Sequence, residues 1–512
     1  MSIISVMLGT AVMIIVNAVM LGFTSEMENR IHGILSDVIF SSTDTKGFPD
    51  ADWHMKKIRE VAGDMIEDMT PTIVVPGMIT FYVGSEAISR EIELIGIDAA
   101  TQGKVSDIMK YLQHPENRKN VDFKLKNNGY DIVGEGGNGR KGVHRFQMGN
   151  SGWNHRQNVF AEQEKFRKQQ EEDQLRLQKQ LNSSGNSLAP QIQEENALPY
   201  DPFAAAPSEP VKKFDPANEQ HTGAILGIGL SAYSRYERVD SKSGKKQILD
   251  KLALVPGDDV MLTFPTTSMP IKLQSDSFTV VDLYESKMME YDSRLVFVPI
   301  EKLQQLRGMY SPETGKPMVS QILIKAKPGV KLNELRDKLQ TIFPAELYRI
   351  NTWRDIQETL LAAVFVEVAI LNVLLFLIFA VAGFGILAIF YMIVIEKTKD
   401  IGILKSLGAS GIGVMQIFLY YSLLLGIIGT GFGLIFGLTF IHYIKEIADL
   451  LAWVLQHEVF DPTVYSFYEI PTIVKPITVF WIMFGAILIA VLSGIFPALR
   501  AARLHPVESL RT

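Results

Sequence analysis

LLAAVFVEVAILNVLLFLIFAVAGFGILAIFYMIVI, residues 360–395, carries a single charged side chain, Glu367, in an otherwise apolar run. A hydrocarbon core about 30 Å thick is crossed by about 20 apolar residues in helical form, and at about 1.5 Å of rise per residue this stretch would be roughly 54 Å long as one helix. It reads as a membrane span whose N-terminal part stands clear of the bilayer as a stalk. Glu367 belongs at or above the outer headgroups on that reading, since an ionised carboxylate is costly in hydrocarbon; the alternative is a polar contact in a lateral opening.

Working outward, two further apolar stretches follow at about 412–442 and 476–499, and one more opens the chain at residues 3–22, IISVMLGTAVMIIVNAVMLG. The opening stretch has neither a basic region before it nor a small-x-small cleavage site, so it reads as an uncleaved anchor. The expected fold class is therefore an α-helical membrane protein with four transmembrane helices, one N-terminal and three C-terminal, and a large α+β domain between the first and second. Domain limits follow: first helix 1–23, external domain 24–358, and a C-terminal membrane region 359–512 with a cytoplasmic loop at 396–411 and a tail at 500–512.

Composition agrees. Of 512 residues 47% are hydrophobic, 56 acidic residues outnumber 50 basic ones, and there is no cysteine. Disulfides, thiolate nucleophiles, zinc fingers and iron–sulfur ligation are excluded, and the net charge of -6 makes nucleic acid a poor partner. Lys397, Lys399 and Lys405 lie in the 396–411 loop and Arg500, Arg503 and Arg511 in the tail, whereas Lys445 and Lys475 face Glu446, Asp449, Glu458, Asp461 and Glu469 in the 443–475 connection. Basic residues near span ends stay cytoplasmic, so both termini are expected inside and residues 23–358 outside, in the periplasm of a bacterium.

The external segment alternates strand-like pieces, Thr72–Val75, Ile92–Ile97, Phe278–Leu283 and Leu295–Val298, with amphipathic runs near 299–307 and 331–341. Between about 130 and 220 the composition shifts to Gly-rich, then to charged and Gln-rich, then to Ser, Asn, Pro and Ala. That reads as a largely disordered insertion, in which the charged stretch could form a solvated helix but has too few apolar a/d positions for a coiled coil. No HExxH, GxSxG or GxxxxGK[ST] frame occurs, so catalytic, metal and cofactor sites are all expected to be absent from this chain.

The densest local signal is Glu396-Lys-Thr-Lys-Asp-Ile-Gly-Ile-Leu-Lys-Ser-Leu-Gly-Ala-Ser410. Ile401, Ile403, Leu404 and Leu407 can form the apolar face of a short surface helix, Gly408 allows a tight exit, and Ser410 can cap the next span. Within the third span Gly429, Gly433 and Gly437 recur every four residues, a face suited to close packing with another helix of the same chain or of a dimer mate. Near the end, Pro497 and Pro506 would bend or stop the last helix while Arg500 and Arg503 anchor it at the headgroups.

The 396–410 segment resembles the coupling loop of the FtsX/MacB superfamily of ABC-transporter permeases, and residues 492–511 look like that superfamily's terminal signature. Within it the chain is most similar to lipoprotein-releasing permeases of the Lol type, through residues 19–23 and 31–37, Gly96-Ile97-Asp98, Glu290–Pro299 and Trp353-Arg354-Asp355. The likeness covers roughly 1–115 and 222–512. The family usually begins with a basic amphipathic helix before its first span, whereas here the span starts at once, and the 130–220 insertion is unmatched, so no carrier-docking loop is assigned.

The resemblance implies ATPase coupling through Glu396, Lys397, Asp400, Ile401, Gly402, Ile403, Lys405, Gly408 and Ser410. It implies two copies of a separate ATPase subunit that hold ATP and Mg, a second permease identical or related, and membrane lipids around the spans. It further implies a lipoprotein substrate and a periplasmic carrier at a bacterial inner membrane. A permease that signals to a periplasmic cell-wall hydrolase, and a membrane-anchored periplasmic binding module, are the rival readings.

Overall fold

The computed structural model describes residues 2–84, 86–130, 148, 151–183, 214–239, 246–286, 288–455 and 470–504. Its main elements in chain order begin with α1 (Ser2–Ile34), β1 (Val38–Ser42), α2 (Ala51–Ala62), β2 (Ile66–Val83), β3 (Glu86–Ile97), α3 (Trp153–Ser183) and β4 (Thr222–Gly227). β5 (Asp259–Pro265), β6 (Leu273–Tyr284), β7 (Leu295–Pro299), α4 (Ile300–Arg307), β8 (Gln321–Ala326), α5 (Leu332–Gln340) and β9 (Tyr348–Thr352) follow. The chain then runs through α6 (Glu358–Glu396), α7 (Thr398–Ser406), α8 (Gly411–His442), α9 (Ile444–Leu455) and α10 (Pro476–Arg503). These elements form two compact units, one of residues Gly33–Trp353 and one that joins the residues up to His32 with those from Arg354 onward.

The Gly33–Trp353 unit is β-rich. Its nine-stranded sheet curls on itself, because β2 pairs with β3, β3 with β7, β7 with β4, β4 with β6, β6 with β5, and β5 returns to β2. β2 is long enough to serve two partners. Its first half, up to Thr72, pairs with β8, which leads on to β1 and β9, and its second half pairs with β5 from Met78 onward. The switch falls at Pro76-Gly77. A Cβ on Gly77 would lie 2.9 Å from the Thr263 carbonyl oxygen, so a residue without a side chain is what lets β5 close the ring.

The ring interior is filled by Ile79, Phe81, Leu94, Ala224, Leu226, Leu262, Phe278, Val280, Val296 and Val298, all buried in one cluster. Residues of opposite parity, Ile225, Val281, Leu295 and Phe297, are buried on the outer face against Ile108, Met109, Leu112 and Phe123. Strands covered on both faces need apolar residues at successive positions, which is why 295–298 reads Leu-Val-Phe-Val rather than alternating. The four strand-like pieces read from the sequence fall within β2, β3, β6 and β7, and the two amphipathic runs coincide with α4 and α5.

Part of the insertion is the solvated helix that its charged stretch allowed. Residues 153–183, inside the range expected to be largely disordered, form α3. Its root is built into the unit. Arg156 is fully buried and donates from Nη1 to Asp259 Oδ1 at 2.7 Å and to the Gly257 carbonyl at 3.1 Å, and from Nε to the Glu219 carbonyl at 3.1 Å. His155 Nε2 lies 2.7 Å from Asp258 Oδ1. Beyond residue 160 the helix is exposed as far as Leu177, as its charged and Gln-rich composition requires. The remainder of the 130–220 range belongs to the described residues only at Tyr130, Met148, 151–152 and 214–220.

In the other unit, α1, α6, α8 and α10 are the helices among the described residues that are long and apolar enough to cross a membrane. α1 continues past the apolar run at 3–22 to Ile34, carried by the polar stretch that includes the Glu26–Arg30 pair at 2.9 Å, one helical turn apart. α6 is a single 39-residue helix on which Glu367 and Asn372 are exposed. α9 occupies part of a connection that the sequence reading took only as acidic.

Candidate coupling site

α6 does not end sharply. Lys397, with φ -92° and ψ 11°, is both its C-cap and the N-cap of α7, and the backbone bonds Lys397 N to Ile393 O and Ile401 N to Lys397 O carry the chain round the bend. Thr398 Oγ1 donates back to Val394 O at 2.9 Å. Glu396, Lys397, Lys399 and Asp400 are exposed, and Lys397 pairs with Asp400 at 3.3 Å.

The apolar residues of α7 do not share one face. Ile401 is 4% exposed and packs with Val394 of α6, Val414 of α8 and Ala501 of α10, and Gly402 beside it is buried as well. Ile403, Leu404 and Leu407 are 47%, 46% and 81% exposed. The single apolar face read from the sequence is thus divided: Ile401 and Gly402 fasten α7 inward, and the other three form an outward apolar knob. A carboxylate at Gly402 would therefore disturb packing, whereas one at Ile403 would alter only the outer surface.

The exit from α7 is a Schellman turn. Ala409 N donates to Leu404 O and Gly408 N to Lys405 O, with Gly408 at φ +102°, a backbone state that glycine enters without steric penalty. Ser410 then caps α8, its Oγ accepting from Gly413 N at 3.1 Å. Lys405 turns its ammonium toward α10 and donates to Ala502 O at 2.8 Å and Leu504 O at 2.7 Å.

The last span continues through Pro497, which is buried inside α10, and ends at Arg503, so this proline does not stop the helix. Neighbouring helices hold the helix through a proline that would break it in water. The Arg500 guanidinium sits 4.6 Å above the Tyr391 ring, Arg503 is exposed, and Pro506 lies outside the described residues.

The glycine stripe of α8 takes α1 of the same chain. A Cβ on Gly429 would lie 2.8 Å from Val6 Cβ, one on Gly433 would lie 2.7 Å from Met7 O, and one on Gly437 would lie 3.4 Å from Ala11 Cα. Gly426, one turn earlier, faces Ala490 of α10 instead. Sequence periodicity signals close packing but carries no information about the partner, which is set by contacts distant in sequence. Lys405 and Ile401 were missed as internal fasteners for the same reason.

Residues 372–506, which contain α7, α8, α10 and most of α6 but not α1, match the FtsX-like permease C-terminal family. The chain is 28% identical over 272 residues, 52% of its length, to LolC of Xylella fastidiosa, named a lipoprotein-releasing system transmembrane protein. That match covers 63% of the Xylella protein, so the chain spans less than two thirds of this relative. It is 26% identical over 141 residues to LolE of Haemophilus influenzae, covering 28% of this chain and 34% of that one. It is also 23% identical over 261 residues to MacB of Bdellovibrio bacteriovorus, named a macrolide export ATP-binding/permease protein, covering 47% of this chain and 35% of that one. The C-terminal region is an FtsX-like permease domain.

Proposed function

We propose that this chain, with its FtsX-like domain, is the permease subunit of an ABC transporter that releases lipoproteins from the outer leaflet of a bacterial inner membrane to a periplasmic carrier. Two copies of a separate ATPase subunit hold ATP and Mg, and a second permease, identical or related, completes the membrane part. Both termini and α7 face the cytoplasm, and the Gly33–Trp353 unit faces the periplasm. The observation that carries this reading is the outward knob of Ile403, Leu404 and Leu407 on a short helix whose other side is fastened into the bundle. An apolar knob rimmed by charges fits a groove on a soluble partner, and a helix anchored on its inner side delivers displacement rather than absorbing it.

The chain's own connectivity provides the route outward. α7 follows α6 through Lys397, and the Gly33–Trp353 unit is joined covalently to α1 on one side and to the residues leading into α6 on the other. The lipoprotein substrate is supported by the names of the LolC and LolE relatives.

Ile403→Asp tests the proposal. The variant should insert and fold normally, since the side chain is 47% exposed, yet lipoprotein release should stop and the ATPase should no longer co-purify. Release at the normal rate would remove α7 as the docking site. Co-purification of a cell-wall hydrolase with the wild-type complex, in place of trapped lipoprotein, would favour the signalling permease.

A further inference from the structure

Lys399 and Asp400 of α7 are exposed, whereas Lys405 is half-buried with its ammonium on α10. Ala502 lies in the last turn of α10 and Leu504 is its C-cap, so both acceptors belong to the carbonyls that a helix C-terminus leaves without intrahelical partners, at the negative end of the helix dipole. The two Lys405 bonds, at 2.8 and 2.7 Å, are charge-assisted. Gly411, the first residue of α8, adds a second contact to the same turn: a Cβ there would come within 2.8 Å of Ala502 O. Ile401 adds a third through Ala501. The α7–α8 elbow therefore grips the last turn of α10 by a cation, a backbone approach and an apolar contact.

α10 in turn is meshed with both neighbours by small residues. A Cβ on Gly383 of α6 would lie 2.9 Å from Ile489 Cγ2, one on Gly426 of α8 would lie 3.2 Å from Ala490 Cβ, and one on Gly494 of α10 would collide with Ser422 Oγ. Displacement of α10 must carry α6 and α8 with it, because surfaces in such close contact transmit strain.

Resting on the docking of an ATPase at α7, we infer that Lys405 is a positioning residue that locks α7 to the C-terminal turn of α10. The two then move as one body, and the ATPase stroke enters the bundle through the last span as well as through α6. Lys405 acts inward and is no part of the surface that meets the ATPase.

Because this chain contains no cysteine, the only spin labels it carries are those at introduced cysteines, and partner subunits stripped of cysteine add no background. In the full permease–ATPase complex in lipid, labels at Ser406→Cys and Arg503→Cys should give the same distance distribution without nucleotide and with ATP. Adding Lys405→Met should broaden that distribution, make it shift with nucleotide, and lower lipoprotein release per ATP hydrolysed about tenfold, while α7 still cross-links to the ATPase. Lys405→Arg, whose guanidinium also offers donors to two carbonyls, should restore both readouts. A 406–503 distance that changes with nucleotide in the background carrying Lys405, or a Lys405→Met distribution identical to it, overturns the inference and leaves ATPase docking standing. Failure of α7 to cross-link to the ATPase in the unmodified complex overturns the docking reading and this inference together.

Discussion

Asp282 is a fully buried carboxylate that accepts from Asn117 Nδ2 at 2.7 Å, from Leu283 N at 2.8 Å and from His114 N at 3.3 Å. Burial outweighs these bonds and pushes its pKa up to about 6 from an ordinary 3.8. The folded state therefore binds this proton more tightly than the unfolded chain, and the unit loses stability as pH rises from about 4 through about 6. Asn117 Oδ1 beside it is buried without a partner, an acceptor that an amide at position 282 could serve. Asp282→Asn is expected to raise stability above pH 6 and to lose that advantage as pH falls toward 4, which denaturant unfolding across this range would measure. The sequence shows Asp282 only as a polar position in the strand-like piece Phe278–Leu283. That both faces of β6 are covered, which makes the position costly, depends on residues 106–125 packing over it. The same limit applies at α7, where Ile401 and Ile403 look equivalent in sequence and differ only in what the bundle does with them.

At the scale of elements, the stripe Gly429, Gly433 and Gly437 is legible as a packing face, and the structure adds that it packs on α1. Gly433→Val would push a side chain into Met7 O and Thr10 Cβ, and overpacking of this kind costs about 1–3 kcal/mol. The purified protein should then unfold at a lower temperature. Gly431→Val on the same helix has open space within 4 Å and should leave the melting temperature unchanged. Equal effects from the two would mean that the stripe does not hold α1. α3 shows the converse failure of local reading. Charged and Gln-rich composition gives no sign of a core, yet the helix is anchored at Arg156 by Asp259 and by carbonyls of residues 219 and 257, far along the chain. β2 likewise reads as one short strand-like piece because its two halves serve different neighbours.

For the molecule as a whole, the distribution of basic residues makes one directional claim that can be checked without a partner. In cells whose outer membrane has been opened, an impermeant maleimide should label Trp53→Cys, at an exposed position of the Gly33–Trp353 unit, and should reach Lys399→Cys only after the inner membrane is permeabilised. The reverse pattern would invert the proposed orientation and with it the docking of a cytoplasmic ATPase.

Four apolar lengths, the basic loop after α6 and the Gly408-Ala409-Ser410 exit are properties of short segments, so they can be read directly from residue order: burying a helix in lipid depends on the segment's own hydropathy, and a tight turn on its own glycine. Ring closure at Gly77, the choice of α1 by the α8 glycines, the inward turn of Lys405 and the burial of Arg156 depend on surfaces brought together from distant parts of the chain. Such contacts are selected by shape and by the pairing of most buried polar groups, and those quantities exist only once the chain has folded.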